Sequence, residues 1–307
     1  MKEHLYLPSS DGKTRLHTVI WEPVGEPRAI VQISHGMVEY VERYEAFAEF
    51  LNQHGILVAG HDHLGHGNSI RSKLDRGYFA KGKGDVYALQ DLHRVTLALR
   101  KKYPYIPHFL FGHSMGSFFT RRYLSAYSYE IEGAIICGTG WQPKPVLAAG
   151  RLLTHMMTRV LGDRHRSKLI TQMVFGNMNR AFTPVRTPKD WLNRDEREVN
   201  AYIADEKCGF IFTLNGYATL FRAISLAENV LELAKMDRNM PVLFVAGEDD
   251  PVGNFGKGVK HTAKVFGRMG MRDVECILYP EMRHEILNEI GKKSVYADIL
   301  DWLEKRI

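Results

Sequence analysis

The chain is 307 residues long, enough for two domains or for one large α/β domain with an insertion, and too long for a peptide scaffold. Hydrophobic residues make up 45% and charged residues 25%, a balance that supports a buried core and excludes disordered and collagen-like classes. Lys and Arg outnumber Asp and Glu by 41 to 35, and this net charge of +6 calls for no polyanionic partner, so no nucleic-acid function is expected.

In chain order, β-branched runs at 14–21, 29–34, 56–61, 109–111 and 133–137 read as strands. Between them Tyr44, Phe47, Ala48 and Leu51 recur at helical spacing, as do Val86, Leu89, Leu92 and Val95, and 118–127 is helical after the fourth strand. Such alternation defines an α/β fold with a mostly parallel central sheet and flanking helices. It stops at 141 and resumes with a strand at 242–246, a helix near 256–267, a strand at 274–279 and a closing helix at 295–305. The 88 residues between, 141–228, hold no convincing strand and read as a helical cap inserted into a core of 1–140 and 229–307. Pro145 suits a first helical turn. Ala149, Leu153, Met156 and Val160 then share one face of an amphipathic helix, opposite Arg151, Thr154, His155, Thr158 and Arg159. A second apolar-faced helix is expected within 208–221.

Three cysteines, Cys137, Cys208 and Cys276, form no C-x-x-C pair and indicate neither a disulfide framework nor a structural zinc site. Residues 1–21 lack an apolar core of the signal-peptide type, and no apolar run approaches the ~20 residues of a spanning helix. A cytoplasmic protein is expected.

Gly112-His113-Ser114-Met115-Gly116 fits G-x-S-x-G between a strand and a helix, where a sharp turn exposes Ser114 as a nucleophile. A serine hydroxyl needs a base and a group to orient that base. Asp249 and Asp250 follow the 242–246 strand and His284 follows the next, which places an acid and a histidine at the sheet edge in the order this class uses. Asp250 is favoured over Asp249 because it directly precedes Pro251, whose ring restricts the backbone there. Two N–H donors for an oxyanion are expected from Met115, after the nucleophile, and from Met37, in the His35-Gly36-Met37 turn.

Together His35-Gly36-Met37-Val38-Glu39 with Arg43-Tyr44, Asp62-His63-Leu64-Gly65-His66-Gly67-Asn68-Ser69, the serine pentapeptide, Asp250 and His284 resemble the monoacylglycerol lipase and lysophospholipase branch of the α/β-hydrolases, a serine aminopeptidase-type hydrolase domain. The resemblance runs from Ile30 to Asn288, and the His-Gly-x-x-Glu-x-x-x-Arg-Tyr string narrows it to this branch. It implies an α/β-hydrolase fold with Ser114, Asp250 and His284 as the catalytic relay and Met37 and Met115 as oxyanion donors. Leu64 stands where the family usually has arginine, so that residue's role does not transfer. Trp191-Leu192-Asn193-Arg194-Asp195 and Tyr202-Ile203-Ala204-Asp205 resemble bacterial members.

His61, His63 and His66 approach a metal-binding pattern, but position 65 is glycine where an acid is needed, and no metal or other cofactor is expected. The cap carries 13 Lys and Arg against 8 Asp and Glu, so most of the excess charge lies there. Its basic residues either face solvent or meet anionic lipid as a peripheral membrane contact. The expected function is a serine carboxylic ester hydrolase acting on monoacylglycerol, lysophospholipid or a similar small-molecule acyl ester. A capped peptidase or amidase of the same fold is the alternative, and a non-catalytic small-molecule receptor on this scaffold is the alternative from another class.

Overall fold

The computed structural model describes residues 1–307. Eight strands form one sheet: β1 (Lys2–Pro8), β2 (Arg15–Trp21), β3 (Ala29–Ser34), β4 (Ile56–His61), β5 (His108–His113), β6 (Gly133–Cys137), β7 (Val242–Gly247) and β8 (Val274–Tyr279), in the spatial order β1-β2-β4-β3-β5-β6-β7-β8. β1 pairs antiparallel with β2, and β2 with β4; every other pairing is parallel. β3 to β7 are buried along their whole length, which is why their sequences are near-continuous apolar runs.

Helices cover both faces. α1 (Glu45–Gln53) and α10 (Lys292–Glu304) pack on one, where Phe47, Phe111 and Trp302 are buried together. α2 (Gly84–Lys102), α3 (Met115–Tyr127) and α9 (Lys257–Arg268) pack on the other, and their apolar layer continues without a break into the segment between β6 and β7. That segment carries α4 (Lys144–Leu161), α5 (Lys168–Phe175), α6 (Glu196–Ala204) and α7 (Leu214–Ala227), with the short α8 (Val230–Leu233) leading back to the sheet. Ser167, Asp195 and Thr213 each accept a backbone N–H at the start of α5, α6 and α7, the usual work of an N-cap side chain. No helix is long and apolar enough to cross a membrane.

Two expectations need correction. β1 was not anticipated, because its side chains are mostly exposed and only Leu5 and Leu7 mark its inner face, yet it pairs with all of β2. α4 is an amphipathic helix, but it presents a different face from the one expected. Leu147 and Thr154 are buried, whereas Met156 and Val160 are 50% and 83% exposed. Fit outweighs hydrophobicity here: a Cβ on Gly150 would stand 3.3 Å from the Phe221 ring, so the small face of α4 is the one that can approach α7.

The chain crosses into and out of this segment beside one buried cation. Arg121 on α3 donates to Gly140 O and Ala227 O, both at 3.0 Å, and packs against the rings of Phe118 and Trp141. Next to it Glu228 accepts the Gln142 N–H at 2.8 Å. Burial lowers the Arg121 pKa to about 10 and raises that of Glu228 to about 7. Arg121→Met is expected to destabilise the protein by about 3–5 kcal/mol, because it leaves two buried carbonyls and a buried carboxylate without their donor or counter-charge. Urea unfolding measures this, and a loss under ~1 kcal/mol would contradict the assignment of a fastening role.

Candidate active site

Ser114 occupies the junction of β5 and α3 with φ 52° and ψ −118°, a strained conformation for a residue with a Cβ. Its neighbours permit the turn. A Cβ on Gly116 would collide with the carbonyl oxygens of Ser34 and His35, and one on Gly112 with Thr120 Oγ1 and the Gly116 backbone. The Ser114 N–H donates to Cys137 O at 3.0 Å, which fixes the turn against the next strand.

His284 lies in the loop after β8 and Asp250 in the loop after β7, and both are buried. His284 Nδ1 donates to Asp250 Oδ2 at 2.9 Å, while Asp250 Oδ1 accepts the Val252 N–H at 2.9 Å. A carboxylate only accepts, so this bond places the proton on Nδ1 and leaves Nε2 as the basic nitrogen. The Trp191 ring packs against the imidazole with centroids 5.2 Å apart. Asp249 forms no bond to His284; its N–H is held by Met282 O.

Ser114, His284, Met37 and Met115 line one cavity of about 490 Å³, with Asp250 directly behind His284. Met115 opens α3, where a backbone N–H has no intrahelical acceptor. The Met37 N–H has no acceptor in the protein either. α4, α5 and α7 supply an apolar wall that includes Leu147, Leu153, Ile170, Val174, Leu220 and Phe221.

Opposite that wall is a charged network. Glu39 accepts from the Gly36 N–H, from Tyr44 Oη at 2.8 Å and from Arg43 at 2.8 Å. Arg43 also makes a two-pronged bond to Glu285, 2.7 Å on each side. His113 bridges Glu39, at 3.2 Å from Nδ1, and the carbonyl of His284, at 3.2 Å from Nε2. Both partners are acceptors, so the two bonds require protons on both nitrogens and hence an imidazolium. Burial opposes this charge, but the bond and charge of Glu39 outweigh it and raise the His113 pKa. Burial likewise disfavours charge on Glu39, yet His113 and Arg43 hold its pKa below the ordinary carboxylate range. The network ties the Met37 loop, the serine turn and the histidine loop into one rigid unit. Reading the sequence missed Glu285 and His113 as parts of it; their only signal was position, each directly beside a residue of the proposed relay.

His61, His63 and His66 cluster with His35 beneath the site, but form no group that could hold a metal. Both ring nitrogens of His61 lack a partner. Asp62 accepts from Val41 N–H, Asn68 N–H and His17, and Ser69 accepts the His17 N–H, so this stretch is braced by structural bonds.

A strained serine at a strand-to-helix turn, on a mostly parallel eight-stranded sheet flanked by helices, makes this chain a serine hydrolase of the α/β-hydrolase class. Residues 25–291 match the model of the Hydrolase_4 family, described as serine aminopeptidase, S33, and the chain belongs to that family. Among named relatives, the monoacylglycerol lipase of Mycolicibacterium smegmatis is 26% identical over 296 residues, covering 95% of this chain and 94% of that one. The monoglyceride lipase of Mus musculus is 27% identical over 312 residues, covering 98% and 90%. The crystal structure of a thermostable carboxyl esterase from Bacillus coagulans in complex with glycerol superposes with a TM-score of 0.93 at 26% identity, covering 99% of this chain and 98% of that one.

Proposed function

We propose that this protein is a serine carboxylic ester hydrolase of the monoacylglycerol lipase or lysophospholipase kind, acting through Ser114, His284 and Asp250. The carrying observation is a strained serine that shares a largely apolar cavity with a histidine whose Nδ1 proton is held by a buried aspartate. His284 Nε2 takes the proton from Ser114 Oγ as the oxygen attacks the ester carbonyl. The developing oxyanion is met by the N–H groups of Met37 and Met115. His284 then protonates the departing alcohol, and a water activated by the same nitrogen hydrolyses the acyl-enzyme. Asp250 stabilises the imidazolium without taking its proton. The apolar wall receives the acyl chain.

The family description favours a second reading, a peptidase or amidase. An aminopeptidase needs an acid to hold the substrate ammonium, and the two glutamates lining this cavity, Glu39 and Glu285, are both bound to Arg43. A fluorophosphonate probe and a panel of acyl esters and aminoacyl amides test both readings. Wild-type protein should take the probe on Ser114 and turn over esters, and Ser114→Ala should do neither; labelling that survives the substitution would refute the proposal.

Residues 141–228 act in this reading as a lid over the acyl wall and as its contact with lipid. Val146, Leu152, Met156 and Val160 on α4 and Leu169 and Met173 on α5 are all at least half exposed. Lys144, Arg151, Arg159 and Lys168 lie among them, a mixture suited to docking on anionic lipid. Sedimentation with anionic vesicles should capture the protein at low salt and release much of it at ~0.5 M salt, and Met156→Asp with Val160→Asp should prevent capture. Equal behaviour of wild type and variant would remove the docking role.

A further inference from the structure

The charges on the polar wall of the cavity are unequally paired. Glu39 and Glu285 share Arg43 through bonds of 2.8 and 2.7 Å, and Glu39 also meets the His113 imidazolium at 3.2 Å, so the two carboxylates are balanced by two cations. Lys189 lines the same cavity but forms no ion pair and no side-chain hydrogen bond. Its ammonium stands over the rings of Phe175 and Tyr202, 5.7 and 5.8 Å from their centroids. Burial pushes its pKa down, and Glu285 only partly offsets this. A half-buried ammonium surrounded by ring faces has lost water without gaining a hydrogen-bond acceptor, and an entering anion would restore one.

Its position decides which part of a substrate it meets. With the acyl chain against the apolar wall and the carbonyl at Ser114, the alcohol part of an ester leaves on the side of His284, which protonates it; Lys189 stands over Phe175, whose ring stacks on Trp191, and Trp191 packs against His284. The Tyr202 hydroxyl donates to Val38 O at 3.2 Å, beside Met37, and its ring carries the Arg43 guanidinium at 4.9 Å. Lys189 approaches that same ring. It therefore stands on the leaving-group side of the scissile bond.

We infer that Lys189 is a specificity-determining residue that selects monoacyl esters whose alcohol part bears a phosphate over neutral esters of the same chain. This rests on the ester-hydrolase reading. The ammonium pairs with the phosphate of the bound ester and contributes to its binding and orientation, while the acyl chain and the reacting carbonyl are held as they are for a neutral ester.

The test compares kcat/KM for 1-acylglycerol and 1-acylglycerol 3-phosphate of one soluble chain length. Lys189→Met should lower the phosphate-to-neutral ratio by on the order of 10- to 100-fold, the worth of one charge-assisted hydrogen bond, and Lys189→Arg should keep it within about threefold of wild type. A substitution-free measurement accompanies it. An alkyl phosphate should compete against the neutral ester at least about tenfold better than the matching alkanol, and raised salt should erode the difference. A ratio unmoved by Lys189→Met overturns the inference, as does a wild-type enzyme that hydrolyses the neutral ester and ignores both phosphates. A folded wild type that hydrolyses neither ester and takes no fluorophosphonate overturns the ester-hydrolase reading beneath it, and so distinguishes the two failures.

Discussion

Asp250→Asn is expected to lower kcat on a soluble acyl ester by about 10,000-fold while the protein stays folded, the scale of effect seen when a triad histidine is held in the wrong tautomer. The surroundings of Asp250 give the reason. One of its oxygens accepts the Val252 N–H and the other accepts from His284 Nδ1. In asparagine the single oxygen is drawn to the Val252 N–H, so the amide NH2 faces Nδ1. That nitrogen must then accept, the ring proton moves to Nε2, and Nε2 can no longer take the proton of Ser114 as the proposed mechanism requires. Asp249→Asn, at a side chain with no bond to the imidazole, should change kcat by less than about threefold. Equal losses in the two variants would reject Asp250 as the orienting group.

A second large effect is expected on the acid side of neutrality. Burial lowers the pKa of His61, His66 and His108 to about 3, pushes that of His63 well down and lowers that of His35. In the unfolded chain these rings titrate near their ordinary value of about 6.5. Between roughly pH 6.5 and pH 3 the unfolded state therefore binds more protons than the native state, and stability falls as pH falls. Each ring contributes up to about 1.4 kcal/mol per pH unit, so the three held near 3 contribute about 4 kcal/mol per unit before His35 and His63 are added. Glu228, its pKa raised to about 7, works in the opposite direction between about pH 7 and 4.5 but is one group against five rings, and the raised pKa of His113 acts only above about pH 6.5. Against a typical stability of about 5–15 kcal/mol, the chain should unfold steeply with a midpoint near pH 5. Tryptophan fluorescence against pH measures this. His61→Leu, at a ring with no hydrogen-bond partner, should move the midpoint to lower pH and make the transition shallower. A wild-type midpoint below about pH 3.5 would show that these rings are not held neutral.

Legibility in the sequence followed burial. The strands β3 to β7 were readable because both of their faces are covered and only apolar residues are tolerated there. β1 was not, because an edge strand with one neighbour and exposed side chains needs no such pattern. The buried face of α4 was unreadable for a different reason. Apolar residues lie on both sides of that helix, and the choice between them depends on how closely Gly150 lets α7 approach. At the candidate site, Ser114, Asp250 and His284 were visible because each follows a recognisable strand. The Glu39, Arg43 and Tyr44 string marked the family but had no stated task. What it holds together, His113 on one side and Glu285 on the other, depends on contacts between residues far apart in the chain.

The bond from Arg43 to Glu285 spans 242 positions. It gives the molecule an order of completion. A growing chain that has reached the end of β7 already contains the serine turn, the Met37 loop and the whole segment between β6 and β7, yet has neither His284 nor the second carboxylate that holds Arg43 beside Glu39. Residues 284 and 285 provide both at once, late in synthesis. In the proposed mechanism hydrolysis therefore waits on a residue near the end of the chain, and a chain cut before residue 284 would carry the serine turn without its base.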